Sequence, residues 1–99
     1  MDNKQKATLV GAAHHLKPVV MIGQKGLTTN VIAETEQALN AHQLIKIKVS
    51  AEDKQQRTEI INQLCAELSA EPLKLIGNIA IIYRKAASEL GPFHEQLAS

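Results

Sequence analysis

The chain has 99 residues, and its 11 lysines and arginines nearly balance 10 aspartates and glutamates, for a formal net charge of +1. Its one cysteine excludes an internal disulfide and fits a reducing compartment. The longest apolar run, at 79–83, is too short to cross a bilayer. We therefore expect a cytoplasmic protein without a membrane partner. The length predicts one domain over 1–99, with a core over about 3–85 and a tail over 86–99.

The first half of the chain predicts helix, strand, turn and helix. Apolar residues at helical spacing predict a first helix over about residues 4–15, which ends before a proline. A short buried strand follows at 19–22 and leads into a turn at 23–26. Thr28 or Thr29 then caps a second helix. We expect its buried face to consist of Val31, Thr35, Ala38, Leu39 and His42.

The clearest strand runs over residues 44–49, because apolar and charged residues alternate there. Lys46 and Lys48 share one face, which we expect to be wet and basic. Asp53 and Gln56 resemble a capping box that opens a third helix, and a proline at position 72 marks its end. We expect the apolar stripe of this helix to consist of Ile60, Ile61, Leu64, Cys65 and Leu68.

Two further strands, at 73–76 and 79–84, flank Gly77-Asn78, a two-residue hairpin signal. The predicted fold class is therefore α/β, of the two-layer α+β kind. An N-terminal helix precedes βαβαββ, and a four-stranded mixed sheet packs on helices. The alternation of strands and helices further favours a mostly parallel sheet with one antiparallel hairpin at its end. The tail carries Gly91-Pro92 and no clear period, and we expect it either to be loosely held or to pack Phe93 against the body.

The turn Gly23-Gln24-Lys25-Gly26 joins a buried strand to the start of a helix. A helix start leaves backbone N–H groups without partners and carries a partial positive charge. Glycine allows a sharp turn and a close approach of another backbone, and Lys25 adds a cation. The turn can therefore cradle a phosphate, as the GXXG loop of KH modules clamps a nucleic-acid backbone. The alternative is that two glycines only close a tight turn.

Further basic and polar residues surround this loop in the sequence. Lys17 precedes the strand that leads into it, Thr28 follows it, Lys46 and Lys48 project from the neighbouring strand, and Arg84 ends the last one. Only one tyrosine and one phenylalanine are present, so base stacking is limited and readout of backbone and shape is expected.

The combination of segments resembles one known family. The matching segments are Leu16-Lys17-Pro18-Val19-Val20, Ile22-Gly23-Gln24-Lys25-Gly26-Leu27-Thr28, Leu44-Ile45-Lys46-Ile47-Lys48-Val49, and Gly77 with residues 79–84. In this order, from about 9 to 84, they resemble the CRM domain (chloroplast RNA splicing and ribosome maturation), of which single-domain bacterial members are YhbY-like proteins.

The resemblance implies a fold similar to the C-terminal domain of bacterial translation initiation factor three. It also implies a non-catalytic protein that binds structured RNA, namely ribosomal RNA of the large-subunit precursor, with ribosomal proteins as further partners and no DNA. The family's RNA-contact role falls on Gly23, Gln24, Lys25 and Gly26, and Lys17 and Arg84 match basic positions of its pattern. Many relatives end in a basic tail, whereas 86–99 here contains two glutamates.

Catalytic and metal-binding patterns are weak. Adjacent helix positions such as His14 and His15 point apart, so they cannot easily share an ion. Cys65 lies on an apolar stripe and is expected to be a buried, inert thiol. We expect no enzyme, metal or cofactor. A remaining alternative is a protein-interaction module that docks on a ribosomal protein through the outer sheet face, with Ile76 and Ile82 among the lysines.

Overall fold

The computed structural model describes residues 2–85, so the predictions for the tail at 86–99, including Phe93, lie outside the described residues. The secondary-structure elements follow the order expected from the sequence. They are α1 (Asn3–Ala13), β1 (Pro18–Ile22), α2 (Thr29–His42), β2 (Leu44–Val49), α3 (Lys54–Leu68), β3 (Glu71–Ile76) and β4 (Ile79–Tyr83).

Side-chain caps open the first and third helices. The carboxylate of Asp2 accepts from the N–H of Gln5 at 2.8 Å, and the Gln5 side chain accepts in return from the N–H of Asp2 at 3.3 Å. At α3, Asp53 accepts from the N–H of Gln56 at 2.8 Å, but the Gln56 side chain accepts from Glu52 at 3.2 Å. The reciprocal capping box therefore lies at α1, whereas α3 has only half of the predicted one.

The third helix ends earlier than its proline suggested. Ser69, with φ +54° in the left-handed region, reverses the chain after Leu68, and the N–H of Ala70 donates to the carbonyl of Cys65 at 2.9 Å. Pro72 does not stop the helix but lies within β3. A proline is tolerated in β3 because this strand is at the edge of the sheet, where its missing N–H leaves no central hydrogen bond unmade.

The expectation of a mostly parallel sheet was wrong in detail. The sheet is mixed with strand order β1-β2-β4-β3, in which β1 and β2 are parallel and the other two pairs are antiparallel. The hairpin strand β4 returns between β2 and β3. Ala80, Ile81 and Ile82 of β4 are fully buried. The most apolar strand is therefore central in the sheet and buried on both faces.

Helices cover the two faces unequally. One cluster fills the space between the sheet and α2 and α3, and α1 covers part of the opposite face, where Ala13 lies with Leu73 and Ile81. The predicted stripe of α3 is confirmed. In α2, however, His42 is exposed, because it is the last helical residue. The buried members of the main cluster are Val20, Ile22, Leu39, Ile45, Ile47, Val49, Ile61, Leu64, Cys65, Ala80 and Ile82.

Candidate nucleic-acid interface

The segment from Gly23 to Gly26 forms a tight turn directly after β1. The N–H of Gly26 donates to the carbonyl of Gly23 at 3.0 Å, and the N–H of Thr28 donates to the carbonyl of Gly26 at 3.1 Å. Gly26 has φ +70°, in the left-handed region that favours glycine. This conformation turns the chain from the edge of the sheet into the first residue of α2.

Thr28 is the residue that caps α2. Its backbone is extended, and its Oγ1 accepts from the N–H of Val31 at 3.1 Å. The helix therefore starts at Thr29, three positions after the second glycine of the turn. The positive end of the α2 dipole lies next to the turn as a result.

The turn is open to solvent. Gly23, Gln24 and Lys25 are exposed and Gly26 is half-buried. Among the hydrogen bonds of residues 2–85, none uses the backbone N–H of Gln24, Lys25 or Leu27. A Cβ built on Gly23 would meet no atom within 4 Å. These three amides have no partner within the described residues, and Gln24 and Lys25 are exposed, so their amides are left for an outside acceptor.

A second loop lies beside this turn and was not identified from the sequence. The N–H of Ser50 donates to the carbonyl of Ile22 at 2.8 Å, so the parallel pairing of β1 and β2 holds the loop after β2 next to Gly23. The two loops and α3 line an open cleft of about 570 Å³. Its lining residues are Gly23, Gln24, Gly26, Ser50, Ala51, Glu52, Gln56 and Ile60. The loop after β2 becomes part of the site only through the pairing of β1 and β2, which are distant in sequence.

The sheet face that α1 leaves open carries the predicted lysines. Met21 pairs with Lys48, Lys48 with Ile79, and Ile79 with Ile76, so these four residues form a row across the sheet. Met21 is 66% exposed and Ile76 is 50% exposed. Lys48 is exposed, whereas Lys46, one row further from the turn, is half-buried beside α1. Ile82 does not belong to this face, because it is fully buried under the helices.

Two predicted site residues lie at the opposite end of the sheet. Lys17 precedes β1, whose other end leads into the turn, and it lines a shallow apolar hollow with Leu16, Val19 and Leu44. Five strand residues at about 3.3 Å each put roughly 17 Å between Lys17 and the turn. The backbone N–H of Arg84, just after β4, donates to the carbonyl of Gln43, just before β2, which fixes it at this same end.

The guanidinium of Arg84 is already engaged within the protein. It donates to both carboxylate oxygens of Glu36, to Asn40 at 2.8 Å and to the carbonyl of Leu68 at 3.0 Å. The structure thus places the turn, Thr28 and Lys48 at one end of the sheet, with Lys48 on the face opposite α2, and Lys17 and Arg84 at the other end.

Other reactive groups lie outside this region. Cys65 is 3% exposed, and burial raises the pKa of its thiol to about 11, with a smaller contribution from Glu71. Residues 2–85 contain no group of three or more His, Cys, Asp or Glu side chains placed to hold a metal ion. Within the same residues, no helix has the length and apolar character needed to cross a membrane.

The fold and the site together define a small α+β domain in which a GxxG turn precedes a helix beside a parallel strand pair. Residues 1–84 match the family described as the CRS1/YhbY (CRM) domain, and the chain belongs to this family.

Known proteins share most of the chain's length. An RNA-binding protein of Haemophilus influenzae is 49% identical over 84 residues, which cover 85% of each chain. A protein of Pseudomonas aeruginosa named "Probable RNA-binding protein" is 39% identical over 86% of this chain and 82% of its own. The solution structure of a Staphylococcus aureus protein has a TM-score of 0.79 at 29% identity, and covers 87% of this chain and 90% of that one.

Proposed function

We propose that this protein binds structured RNA without catalysis, and that the turn 23–26 grips phosphates of the RNA backbone. The unpaired backbone amides of Gln24, Lys25 and Leu27, just before α2, are the observation that carries the proposal. RNA as the ligand class is supported by the names of the Haemophilus and Pseudomonas relatives. We further propose that the bound RNA belongs to precursors of the large ribosomal subunit in the cytoplasm, which rests on the family resemblance.

The chemistry of the turn suits a phosphate rather than a neutral ligand. Free N–H groups and the helix dipole both favour an anion. The exposed Lys25 adds a full positive charge that can move to meet it. Gly23 has no side chain in the way, so a nucleic-acid backbone can approach the loop backbone closely.

The footprint extends from the turn over the open sheet face. Lys48 lies in the same row as Met21, one residue before the end of β1, and is the nearest predicted lysine on the sheet. Lys46 extends the contact toward α1. An RNA that also reaches Lys17 and Arg84 spans roughly 17 Å. Arg84 contributes there only if phosphates replace its present acceptors on Glu36 and Asn40.

The salt dependence of RNA binding tests the role of Lys25. Lys25→Ala should weaken binding of a structured large-subunit RNA fragment and flatten the slope of log affinity against log salt by about one unit. Lys6→Ala is the matched control, because Lys6 is an exposed lysine on α1 away from the turn. If the two folded variants showed the same slope of log affinity against log salt, Lys25 would not be a phosphate contact.

The large-subunit assignment needs a test in cells. Crosslinking of the full chain to RNA, followed by sequencing of the attached RNA, should recover ribosomal RNA of the large subunit. A Lys25→Ala strain with equal protein levels should recover less of it. Recovery of other RNA classes would retain RNA binding and overturn the ribosomal assignment.

The apolar row on the open face favours a second candidate, a module that docks on a ribosomal protein. Met21 and Ile76 are large exposed apolar side chains, and Lys48 between them complements an acidic partner. Met21→Ser with Ile76→Ser should then abolish co-purification of a ribosomal protein without changing the salt slope of RNA binding. Retained co-purification, after nuclease treatment, would overturn this candidate.

A further inference from the structure

The cleft beside the turn has two chemically different walls. Gly23, Gln24 and Gly26 of the turn line one side, where the N–H of Gln24 has no partner within residues 2–85, and a carboxylate, Glu52, lines the other side. A phosphate is attracted to the first wall and repelled by the second. A site that binds only phosphates would not need a carboxylate. The Glu52 carboxylate instead suits a group of the ligand that donates hydrogen bonds.

The second wall is held in a fixed shape. The N–H of Glu52 donates to the side-chain oxygen of Gln56 at 3.2 Å, while the N–H of Gln56 donates to Asp53 at 2.8 Å. Arg57 also donates to the carbonyl of Ala51 at 3.2 Å. Because the oxygen of Gln56 is used in this way, its amide nitrogen remains as a donor on a residue that lines the same cleft as Glu52.

The carboxylate itself is available. Within residues 2–85 it makes no hydrogen bond and no ion pair, and Glu52 is exposed. Half-buried Ala51 and Ile60 add an apolar surface to the same cleft. The cleft volume of about 570 Å³ lies within the range of small-ligand sites. An apolar floor, an acceptor and an adjacent donor are the elements that recognise the edge of a nucleobase.

Among the four bases, guanine fits this pair of groups. Its Watson–Crick edge presents two adjacent donors, N1–H and the 2-amino group, which match a carboxylate, and its O6 accepts from an amide nitrogen. Uracil has one donor between two acceptors, and adenine and cytosine place an acceptor next to their amino group. A carboxylate is repelled by those acceptors.

We infer that the cleft holds one unpaired guanine of the bound RNA, read by Glu52 and Gln56, while the turn holds the phosphate of the same strand. The inference rests on the proposed RNA binding and adds base selection to it. Glu52 is then a specificity-determining residue, and Lys25 supplies affinity without selecting a base.

The test compares hairpin RNAs that differ at one loop position. The probes share one stem and a uridine loop, and a single guanosine is placed at each loop position in turn. At one position guanosine should tighten binding of the full chain by about tenfold or more. Inosine at that position lacks the 2-amino group and should lose most of the gain.

Substitution of Glu52 should remove the preference for guanosine but retain RNA binding. Glu52→Gln should reduce the guanosine-to-uridine affinity ratio to about twofold or less, while the uridine hairpin binds as well as before or better. Glu67→Gln, an equal charge change at an exposed site near the other end of α3, should keep the ratio. Lys25→Ala should weaken both hairpins equally.

Three results would overturn the inference. They are equal binding of all hairpins by the wild-type chain, an unchanged ratio in Glu52→Gln, and an equal loss of the ratio in Glu67→Gln. In each case the effect of Lys25→Ala on overall affinity would still support the proposed RNA binding. If neither the hairpins nor the large-subunit fragment bound, both the guanine inference and the proposed RNA binding would be overturned.

Discussion

Arg84 and Glu36 form a two-bond ion pair that ties the end of β4 to the middle of α2. Their nitrogen–oxygen distances are 2.7 Å and 3.2 Å, and the side chains are 19% and 43% exposed. The same guanidinium also reaches the carbonyl of Leu68, the last residue of α3. One side chain therefore joins two helices to the central strand.

Replacement of Arg84 should cost stability. Arg84→Lys keeps the charge but loses the planar fork and most of its hydrogen bonds, so the free energy of unfolding should fall by about 1–2 kcal/mol. Urea denaturation followed by circular dichroism measures this change. Lys85→Ala removes an exposed neighbouring cation and should have little effect. An equal loss in both variants would contradict a specific contribution of this pairing to stability.

The pairing should also make stability depend on acid. The hydrogen bond from Arg84 lowers the pKa of Glu36, against a smaller opposing effect of burial. A carboxyl with a lowered folded-state pKa contributes stability above its unfolded pKa and loses it as the pH falls through the folded one. Because Glu36 is 43% exposed, we expect this contribution to be about 1 kcal/mol or less. The free energy of unfolding from urea denaturation should be larger for wild type than for Glu36→Gln at pH 7. This difference should vanish in acid.

Substitution of two glycines can distinguish an effect on the close approach of RNA from an effect on folding. A Cβ at Gly23 or at Gly11 meets no atom within 4 Å, and neither has a positive φ. Gly23→Ala should unfold like wild type but bind RNA about tenfold more weakly, because its methyl group lies where an RNA backbone would approach. Gly11→Ala should stabilise α1 by about 0.5–1 kcal/mol and leave RNA binding unchanged. Wild-type affinity in Gly23→Ala would contradict a close approach at this position.

The single thiol should be unreactive while the protein is folded. Burial raises the pKa of Cys65 to about 11, so at pH 8 almost no thiolate forms and reagents cannot reach the sulfur. Mass spectrometry should detect no iodoacetamide adduct on the native protein within the time that labels the urea-unfolded chain fully. Rapid labelling of native protein would indicate that α3 opens from the sheet.

Local patterns predicted the elements because each has its own signal. The apolar stripe of α3, the Gly77-Asn78 hairpin and the cap at Thr28 all lie within a few residues of what they determine. The place of β4 has no such signal, because a hairpin strand can pair on either side of its partner. Only the burial of residues on both faces of β4 favours a central position.

The same distinction applies to the site. The GxxG turn is a continuous stretch of sequence and could be identified, but its opposite wall comes from the loop after β2. Arg84 was predicted to contact RNA, and its pairing with Glu36 was not foreseen because that partner lies 48 positions earlier in the chain. Lys17 was placed near the turn by its sequence distance, although the length of β1 separates them.

The central place of β4 has a consequence for synthesis of the protein. β3 pairs only with β4 among the described strands, and β2 pairs with β4 over residues 44–48. A nascent chain that stops before residue 79 therefore contains the sequences of all three helices but cannot join the two halves of its sheet. Folding must wait until the last strand leaves the exit tunnel, and a truncation that removes it should yield an insoluble fragment and not a smaller domain.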